Sequence, residues 1–372
     1  MVAYYKQIFK YCIRFSVVMN LVSCASGETS GIEIAIPSQS VNELEELIEN
    51  SSYISLETTP ECYISEVDKM VCDSSLFYIK NRDAILIFNQ WGKYQYGINK
   101  RGRANNEYLS ITDFDVLNGD IYILSNAQRK IVIYRGQDFI SEIRLNDWYH
   151  NLSVESDYIL LYSEKANSQG FDIIKINHNG DVIGKFLPFS VESSKRFGTS
   201  PFNKIGYDDY FLTFPYDHRL IKMSNGKWKS LYNIKVDKSK VLSDEEINNL
   251  RYDEIAKSQS GNNYLRRIVA VSQKEKKLFL LLEVSYKNSG IWNILCRINM
   301  DTLDVSSYLC GAKLNNQYSY FSNFIAMDDE YLYSIIPLSY INHVNNILGK
   351  SQDGTLDELN NPRVYKYRLK WD

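Results

Sequence analysis

Short apolar runs recur in pairs along the chain and form six similar units. Within a run nearly every position is apolar, and polar residues separate the two runs of a pair. This pattern predicts hairpins whose strands are buried on both faces, because a strand with one wet face would alternate apolar and polar residues. The paired runs are Leu76–Ile79 with Ile85–Phe88, Ile121–Leu124 with Ile131–Tyr134, Tyr158–Tyr162 with Phe171–Ile176, Tyr210–Phe214 with Arg219–Met223, Leu278–Leu282 with Ile294–Ile298, and Tyr331–Ile335 with Val364–Leu369.

The units repeat at intervals of roughly 40 to 70 residues, as expected for four-stranded blades with insertions of variable length. Two units continue through a turn into a further strand, Asn89–Lys93 before Tyr94–Ile98 and Asn177–Asp181 before Val182–Phe186. Gly92 and Gly180 supply the positive φ that such turns need. The sequence therefore predicts an all-β fold, a six-bladed β-propeller whose sheets stack around one axis.

The two ends of such a ring have to meet, since otherwise the first and last blades expose strand edges. We expect the strand near Tyr53–Leu56 to complete the sixth blade beside Val364–Leu369, within a propeller domain over 34–372. Two capping boxes, Ser40–Glu43 and Ser243–Glu246, predict short helical insertions. In this motif a serine and a glutamate three residues later satisfy the first backbone amides of a helix.

Composition supports strands and argues against nucleic acid as a partner. Tyrosine is common, at 29 residues against 7 prolines, and aromatic residues favour strands. The formal net charge is −3 at pH 7, and the first 23 residues hold basic residues but no acid, so the remainder is more acidic still. The basic run Lys274–Lys277 includes Glu275, and we expect it to be a solvated turn.

The N-terminus has the features of an export signal. Basic residues precede a short, mostly apolar stretch, Phe15–Val22, which is too short to cross a bilayer as a helix. The segment Leu21–Cys24 resembles the bacterial lipobox, in which the cysteine thiol accepts a lipid. The resemblance implies a signal peptide over 1–23 and lipid attachment at Cys24. An ordinary secretory signal with an incidental cysteine is the alternative.

A lipid on Cys24 would make the membrane a partner of the chain. Two or three acyl chains anchor a protein stably, because each buried CH₂ contributes about 0.8 kcal/mol. Residues 24–33 are mostly small and polar, which is typical of a flexible tether. We therefore expect an outer-membrane lipoprotein, and both the periplasmic and the cell-surface orientation remain open.

Four segments resemble the six-bladed β-propeller lipoproteins of the Bacteroides group, a family related in shape to NHL-repeat propellers. Tyr53–Thr59 is similar to the family's opening strand, with Ser55 in place of proline, and Ile85–Phe88 matches its I-L-I-F strand. Asn99–Tyr108 resembles the glycine-rich blade connector, and Asn361–Leu369 resembles the closing strand. The resemblance implies the same closed propeller.

The connector Asn99–Tyr108 departs from the family pattern. Ala104, Asn105 and Asn106 occupy positions where the family has glycine and proline. We interpret Gly102, Glu107 and Tyr108 as structural residues that pass the chain from an outer strand to the next inner strand.

The residues that could carry chemistry form no recognisable motif. Asp113, Asp115, Glu66 and Asp68 could supply oxygen ligands to calcium in a central channel, as carboxylates do in propeller enzymes, but their spacing fits no ligand set. Solvated blade edges explain them better. No pair among the histidines has the spacing of metal ligands on one helix. These are His150, His178, His218 and His343. We expect no catalytic residues, no metal and no cofactor.

Four cysteines follow Cys24, an even number that leaves two interpretations open in an oxidising compartment. Cys296 and Cys310 flank one turn, and Cys62 and Cys72 bracket the start of the first blade, so either pair could form a disulfide. Half-buried free thiols are the other interpretation.

The functional prediction is a non-enzymatic binding or scaffolding module of the cell envelope. Loops on one face of a propeller would present side chains to a glycan, a peptide or an outer-membrane protein. The alternative is a calcium-dependent hydrolase or lyase that uses the central channel.

Overall fold

The computed structural model describes residues 32–36, 41–73, 75–164, 167–188, 200–224, 227–236, 239, 264–286, 290–310, 312–314, 317–319, 324–328, 330–339 and 360–371. Contacts divide the chain into two compact units, Met1–Ile32 and Glu33–Asp372. Of the first unit only Ile32 lies among the described residues, and the propeller belongs to the second.

Six antiparallel sheets form the six blades of a β-propeller, as predicted. Blade 1 contains β4 (Lys69–Asp73), β5 (Leu76–Asn81), β6 (Ala84–Asn89) and β7 (Tyr94–Ile98). Blade 2 contains β8 (Asp113–Leu117), β9 (Asp120–Ser125), β10 (Lys130–Arg135) and β11 (Asp138–Arg144). Blade 3 contains β12 (Asn151–Val154), β13 (Ile159–Tyr162), β14 (Phe171–Ile176) and β15 (Val182–Pro188).

The remaining blades recruit strands from the N-terminal part of the chain. Blade 4 contains β16 (Phe202–Gly206), β17 (Asp209–Leu212), β18 (Arg219–Ser224), β19 (Lys227–Val236) and, at its outer edge, β1 (Ile32–Ile36). Blade 5 contains β20 (Tyr264–Lys274), β21 (Lys277–Tyr286), β22 (Gly290–Asn299), β23 (Val305–Leu309) and the parallel β2 (Val41–Glu43). Blade 6 contains β26 (Phe324–Met327), β27 (Tyr331–Ile336), β28 (Arg363–Leu369) and β3 (Ile48–Ser55).

Three short elements complete the described structure. A separate hairpin, β24 (Ala312–Leu314) with β25 (Gln317–Ser319), lies between blades 5 and 6 in sequence. Two single turns of 3-10 helix cover Leu44–Glu46 and Asn126–Gln128. No helix in the described ranges is long and apolar enough to cross a membrane.

Continuous apolar runs follow from the way the blades stack. In the second strand of blade 2, Ile121 and Ile123 pack toward blade 1, whereas Tyr122 and Leu124 pack toward blade 3. Successive side chains of a strand point to opposite faces, and both faces of a middle strand are buried between neighbouring blades. Six clusters of buried hydrophobic residues result among the described residues, one at each junction between consecutive blades.

The ring closes where the sequence predicts it. Strand β3 pairs antiparallel with β28, with Ile54 opposite Val364 and Tyr53 opposite Tyr365. The last blade therefore combines three strands from the C-terminal end of the chain and one from near its start. The predicted pairing of these two segments is confirmed.

A buried asparagine fastens the closed ring. The Asn361 side chain accepts a hydrogen bond from the amide of Ile64 at 2.7 Å and donates to the carbonyl oxygens of Glu57 and Cys62 at 2.7 and 2.8 Å. The Asn361 backbone amide also donates to Thr58 Oγ1. These bonds tie the residues just before β28 to the loop that follows β3. That loop leads from blade 6 into blade 1.

The connector between blades 1 and 2 is structural, as predicted. The buried Tyr108 hydroxyl bonds to the carbonyl oxygens of Asp83 and Ile98 and accepts from the amide of Lys100. Glu107 accepts a hydrogen bond from the amide of Ala104 at 2.9 Å. These bonds hold the connector in place with Ala104, Asn105 and Asn106 at the family's glycine and proline positions.

The predicted helix after Ser40 is wrong. Val41–Glu43 instead forms the parallel strand β2 against Ser307–Leu309, and one 3-10 turn follows. Leu44 and Leu47 are buried, because residues three apart lie on one side of a 3-10 turn as they do in an α-helix. Pairing with the free edge of β23 is therefore more favourable than the helix that the capping box predicts. The other capping box, Ser243–Glu246, lies outside the described residues.

The turn at Gly92 in blade 1 lies against strand β3 of blade 6. Gly92 has φ +79°, and a Cβ atom there would lie 2.1 Å from the carbonyl oxygen of Ser55 in β3. The Gly92 carbonyl oxygen accepts a hydrogen bond from the amide of Glu57 at 2.8 Å. Glycine is therefore required both for its positive φ and for the close approach of two backbones.

We expect Gly92→Ala to destabilise the protein by about 3 kcal/mol or more, because the backbone strain adds to a clash that a rigid strand cannot relieve. Gly119→Ala is the matched control, since Gly119 has φ +80° and nothing within 4 Å of the added Cβ. The control should cost about 1 kcal/mol. Urea unfolding measures both free energies, and equal losses would contradict the close approach.

Candidate ligand-binding channel

The first strands of the six blades surround a cavity of about 1160 Å³. Strands β4, β8, β12, β16, β20 and β26 all contribute lining residues. Neighbouring first strands contact one another along this ring, for example β8 with β12 and β16 with β20. The cavity therefore lies along the central channel of the propeller.

Asp113 and Asp115 hold blade 2 against blade 3. Asp113 Oδ2 accepts a hydrogen bond from the amide of Leu152 at 3.0 Å, and Asp115 Oδ2 accepts from the amide of Val154 at 2.8 Å. Asp113 is also buried, so its interpretation as a solvated blade-edge residue is wrong. First strands of adjacent blades do not pair in a sheet, so the amides of β12 that face blade 2 have no backbone acceptor among the described residues of that blade. The two carboxylates accept these hydrogen bonds instead.

Lys69 extends this contact to blade 1. Its Nζ atom donates to Asp113 Oδ1 at 2.8 Å and to the carbonyl oxygen of Phe114 at 2.7 Å. Burial raises the pKa of Asp115, although the Lys69 charge and the amides of Val154 and Val116 oppose that shift. This side of the channel therefore contains two carboxylates beside one lysine.

The contact between blades 3 and 4 has the same form. Lys204 Nζ on β16 lies 2.9 Å from Oε1 of the buried Glu155. The Tyr210 hydroxyl donates to the same carboxylate oxygen and accepts a hydrogen bond from Ser153 at 3.2 Å. Desolvation and the nearby Glu155 charge raise the pKa of Tyr210, so this hydroxyl remains a proton donor. Lys204 itself lines the cavity.

An irregular strand places two arginines on one carboxylate in blade 5. In β20 the pairing with β21 shifts between Leu265 and Arg267, and Arg266 is the extra residue. Such a bulge brings neighbouring residues to the same side of a strand, where regular alternation would separate them. Glu283 Oε2 accepts hydrogen bonds from Arg267 at 2.9 and 3.1 Å, and its Oε1 lies 3.3 Å from Arg266 Nε.

Among the described residues, this cluster has one positive charge in excess. Two guanidinium groups share the single carboxylate of Glu283, and Arg267 lines the cavity while Arg266 lies behind it. The Nε atom of Arg266 is buried and has no hydrogen-bond partner among the described residues. Arg267 is the member of the pair that a ligand in the cavity can reach.

The wall beside Arg267 is apolar. Val269, Ala270 and Val271 of β20 line the cavity, and Ala326 and Met327 of the adjacent β26 continue the surface. A second shift in pairing, between Ile268 and Ala270, makes Val269 another extra residue. The channel thus combines a mixed polar and apolar wall from blades 1 to 4 with a largely apolar wall from blades 5 and 6.

The other predicted acids form ion pairs near the cavity. Asp68 pairs with Lys80, and Glu66 Oε2 lies 3.7 Å from Arg82 Nε. Both acids line the cavity together with Asp113 and Asp115. Among the described residues, no group of three histidine, cysteine, aspartate or glutamate side chains could hold a metal ion.

The predicted histidines and cysteines are not brought together. His178 Nε2 lies 2.9 Å from the carbonyl oxygen of Glu155, and the His150 ring accepts a hydrogen bond from the amide of Glu164. His343 lies outside the described residues. The four cysteines after Cys24 are all thiols. Burial raises the pKa of the channel-lining Cys72 to about 12, so little of it is thiolate at neutral pH.

Sequence reasoning missed the basic residues of the channel. Lys69, Lys204 and Arg267 stand in the first strands of their blades and belong to no motif. One signal was present, because the consecutive charges of Arg266 and Arg267 interrupt an otherwise strand-like segment. Two charged residues in succession place one of them on a buried face unless a bulge intervenes.

Comparison of sequences decides the family. A family described as a domain of unknown function, DUF4934, matches residues 29–368. The chain belongs to the DUF4934 family. No curated protein sequence is similar to this DUF4934 chain.

Solved structures share the DUF4934 propeller fold. A predicted exported protein from Bacteroides fragilis has a TM-score of 0.70 at 17% identity, over 91% of this chain and 99% of that chain. A member of the DUF4221 family from Bacteroides vulgatus has a TM-score of 0.58 at 13% identity, over 87% of this chain and 97% of that chain. At these identities the likeness concerns the fold.

We expect Asp113→Ala to destabilise the DUF4934 propeller by about 3 kcal/mol, because it removes a buried carboxylate that joins three blades. Asp301→Ala is the control, since Asp301 forms an ion pair with Lys276 in which both side chains are exposed. Surface pairs contribute little, so this control should leave the free energy of unfolding unchanged within error. Chemical denaturation would contradict the role of Asp113 if both variants were equally stable.

Proposed function

We propose that this DUF4934 chain is an exported, lipid-anchored propeller of the bacterial outer membrane that binds a ligand in its central channel. The observation that carries the proposal is the channel itself. Its cavity of about 1160 Å³ is lined by basic groups already held in place by less exposed carboxylates. Preformed concave sites with a few fixed polar groups beside apolar surface are typical of ligand binding.

The lining suits binding because its side chains have little freedom to lose. Lys69, Lys204 and Arg267 each contact a carboxylate that is more buried than they are. Ordering flexible side chains on binding costs free energy, and a held side chain avoids most of that cost. The ligand classes proposed from the sequence, a glycan, a peptide or an outer-membrane protein, can all present groups to such a surface.

Envelope location is supported by the N-terminal segment and by the related folds. Lipid attachment at Cys24 would follow from the lipobox-like Leu21–Cys24, and Cys24 lies outside the described residues. The similar fold from Bacteroides fragilis belongs to a predicted exported protein. A lipid anchor would leave the propeller tethered by the residues between Cys24 and β1, free to meet ligands near the membrane.

The proposed binding role is tested by affinity capture from intact envelopes, with identification of the sugars and proteins that co-purify. We expect a defined ligand that also binds the purified propeller with saturation. The Asp113→Ala variant tests dependence on the assembled ring. If purified wild-type protein binds none of the captured molecules, the proposed function is wrong.

We expect Cys24→Ala to abolish lipid labelling and to move the protein from the membrane fraction to the soluble fraction, because the thiol is the only group that accepts the lipid. A Ser23→Ala variant keeps a small residue before the cysteine and serves as the control. Metabolic labelling with a radioactive fatty acid and membrane fractionation measure the effect. Continued labelling of Cys24→Ala would contradict the anchor.

A further inference from the structure

The arginine pair of blade 5 is the strongest unexplained feature of the channel. Arg266 and Arg267 share Glu283, which leaves one positive charge at the channel wall without a carboxylate of its own in the described part of the chain. Lys204 and Lys69 differ, because each is paired with its own buried carboxylate. Of the channel cations Lys69, Lys204 and Arg267, Arg267 is the one that shares its carboxylate with a second cation.

Arg267 is placed to bind an anion without disturbing the fold. Its Nε and Nη2 atoms bond to Glu283, and its side chain is 37% exposed, within the cavity. The guanidinium group has five N–H donors, and three of them remain for a ligand. The planar fork of arginine matches the two oxygens of a carboxylate or phosphate group.

The surface next to Arg267 selects the rest of the ligand. Val269, Ala270 and Val271 follow it along β20, and Met327 lies on the next first strand. A sugar acid would place hydroxyl groups against this wall and leave them without partners. An apolar chain would instead be removed from water there, at a gain of about 25 cal/mol for each Å² buried.

We propose that the channel binds an amphipathic organic anion, whose carboxylate or phosphate group contacts Arg267 and whose apolar part lies along Val269–Val271. The proposal rests on the proposed ligand-binding function and names the class of ligand. Lys204, on the adjacent strand β16, lines the same cavity, and its charge is paired with Glu155.

Isothermal titration of the propeller with octanoate and octyl phosphate tests this class of ligand and separates the two anionic groups. At least one of them should bind with saturation, and its affinity should fall as salt rises, because ions screen the attraction. Octanol lacks the charge and glucuronate lacks the apolar chain, so both should bind at least about 10-fold more weakly. Octanol or glucuronate binding as tightly as the octyl anions would overturn the proposal.

The Arg267→Gln variant tests whether the octyl anion binds at the arginine pair. It should weaken binding of the octyl anion by about 10-fold or more. The fold should persist, because Arg266 still neutralises Glu283. Arg267→Lys keeps the charge but loses the fork, and we expect an intermediate affinity. Arg101→Gln, at an exposed site outside the cavity, should bind like the wild type.

The outcomes separate this proposal from the broader function. If neither octyl anion binds, or if Arg267→Gln binds as tightly as Arg101→Gln, the ligand class is wrong. A ligand captured from envelopes that binds wild type and Arg267→Gln equally would leave the binding function intact. If no captured molecule and no probe binds, both proposals fail.

Discussion

The pairing of β3 with β28 is the constraint on which the rest of the propeller depends. No blade can bury both faces of its middle strands alone, because each face is covered by a neighbouring blade. The cluster between blades 6 and 1 contains residues from both ends of the sequence, among them Leu56, Phe77 and Val364. Asn361 secures this junction with side-chain hydrogen bonds that leave no polar atom of its amide unpaired. Closure therefore determines whether the other five junctions form around one axis.

The closed ring in turn fixes the chemistry of the channel. The first strands of adjacent blades contact each other without backbone pairing, and Asp113, Asp115 and Glu155 supply hydrogen bonds at the contacts between them. Those carboxylates hold the lysines that face the cavity. In blade 5 the bulge at Arg266 departs from this pattern and leaves an excess of positive charge. The structural contacts and the candidate binding surface are thus made by the same strands.

The fold could be predicted from sequence because its signals are repeated. Six apolar hairpins, the turn at Gly92 and the segments flanking the closure all agree with one architecture, and each observed pairing confirms it. The helix predicted after Ser40 failed because a capping box is a local signal, whereas Val41–Glu43 meets an unpaired strand edge far away in sequence.

The site was harder to predict for related reasons. The sequence around a carboxylate such as Asp113 looks the same whether the side chain is solvated or joins two blades. Its environment is determined by the neighbouring blades of the assembled ring. The arginine pair depends on a bulge, which a single sequence does not reveal. Lipid attachment at Cys24 is a matter of processing chemistry, so the propeller fold carries no information about it.

Removal of residues 363–372 tests the closure most directly, because it deletes β28 and exposes β3 and β27 together. The account predicts that the truncated chain loses its cooperative thermal transition in circular dichroism and exposes apolar surface to a hydrophobic dye, while the full chain unfolds in one step. A truncated protein that unfolds cooperatively at the temperature of the full chain would contradict the account.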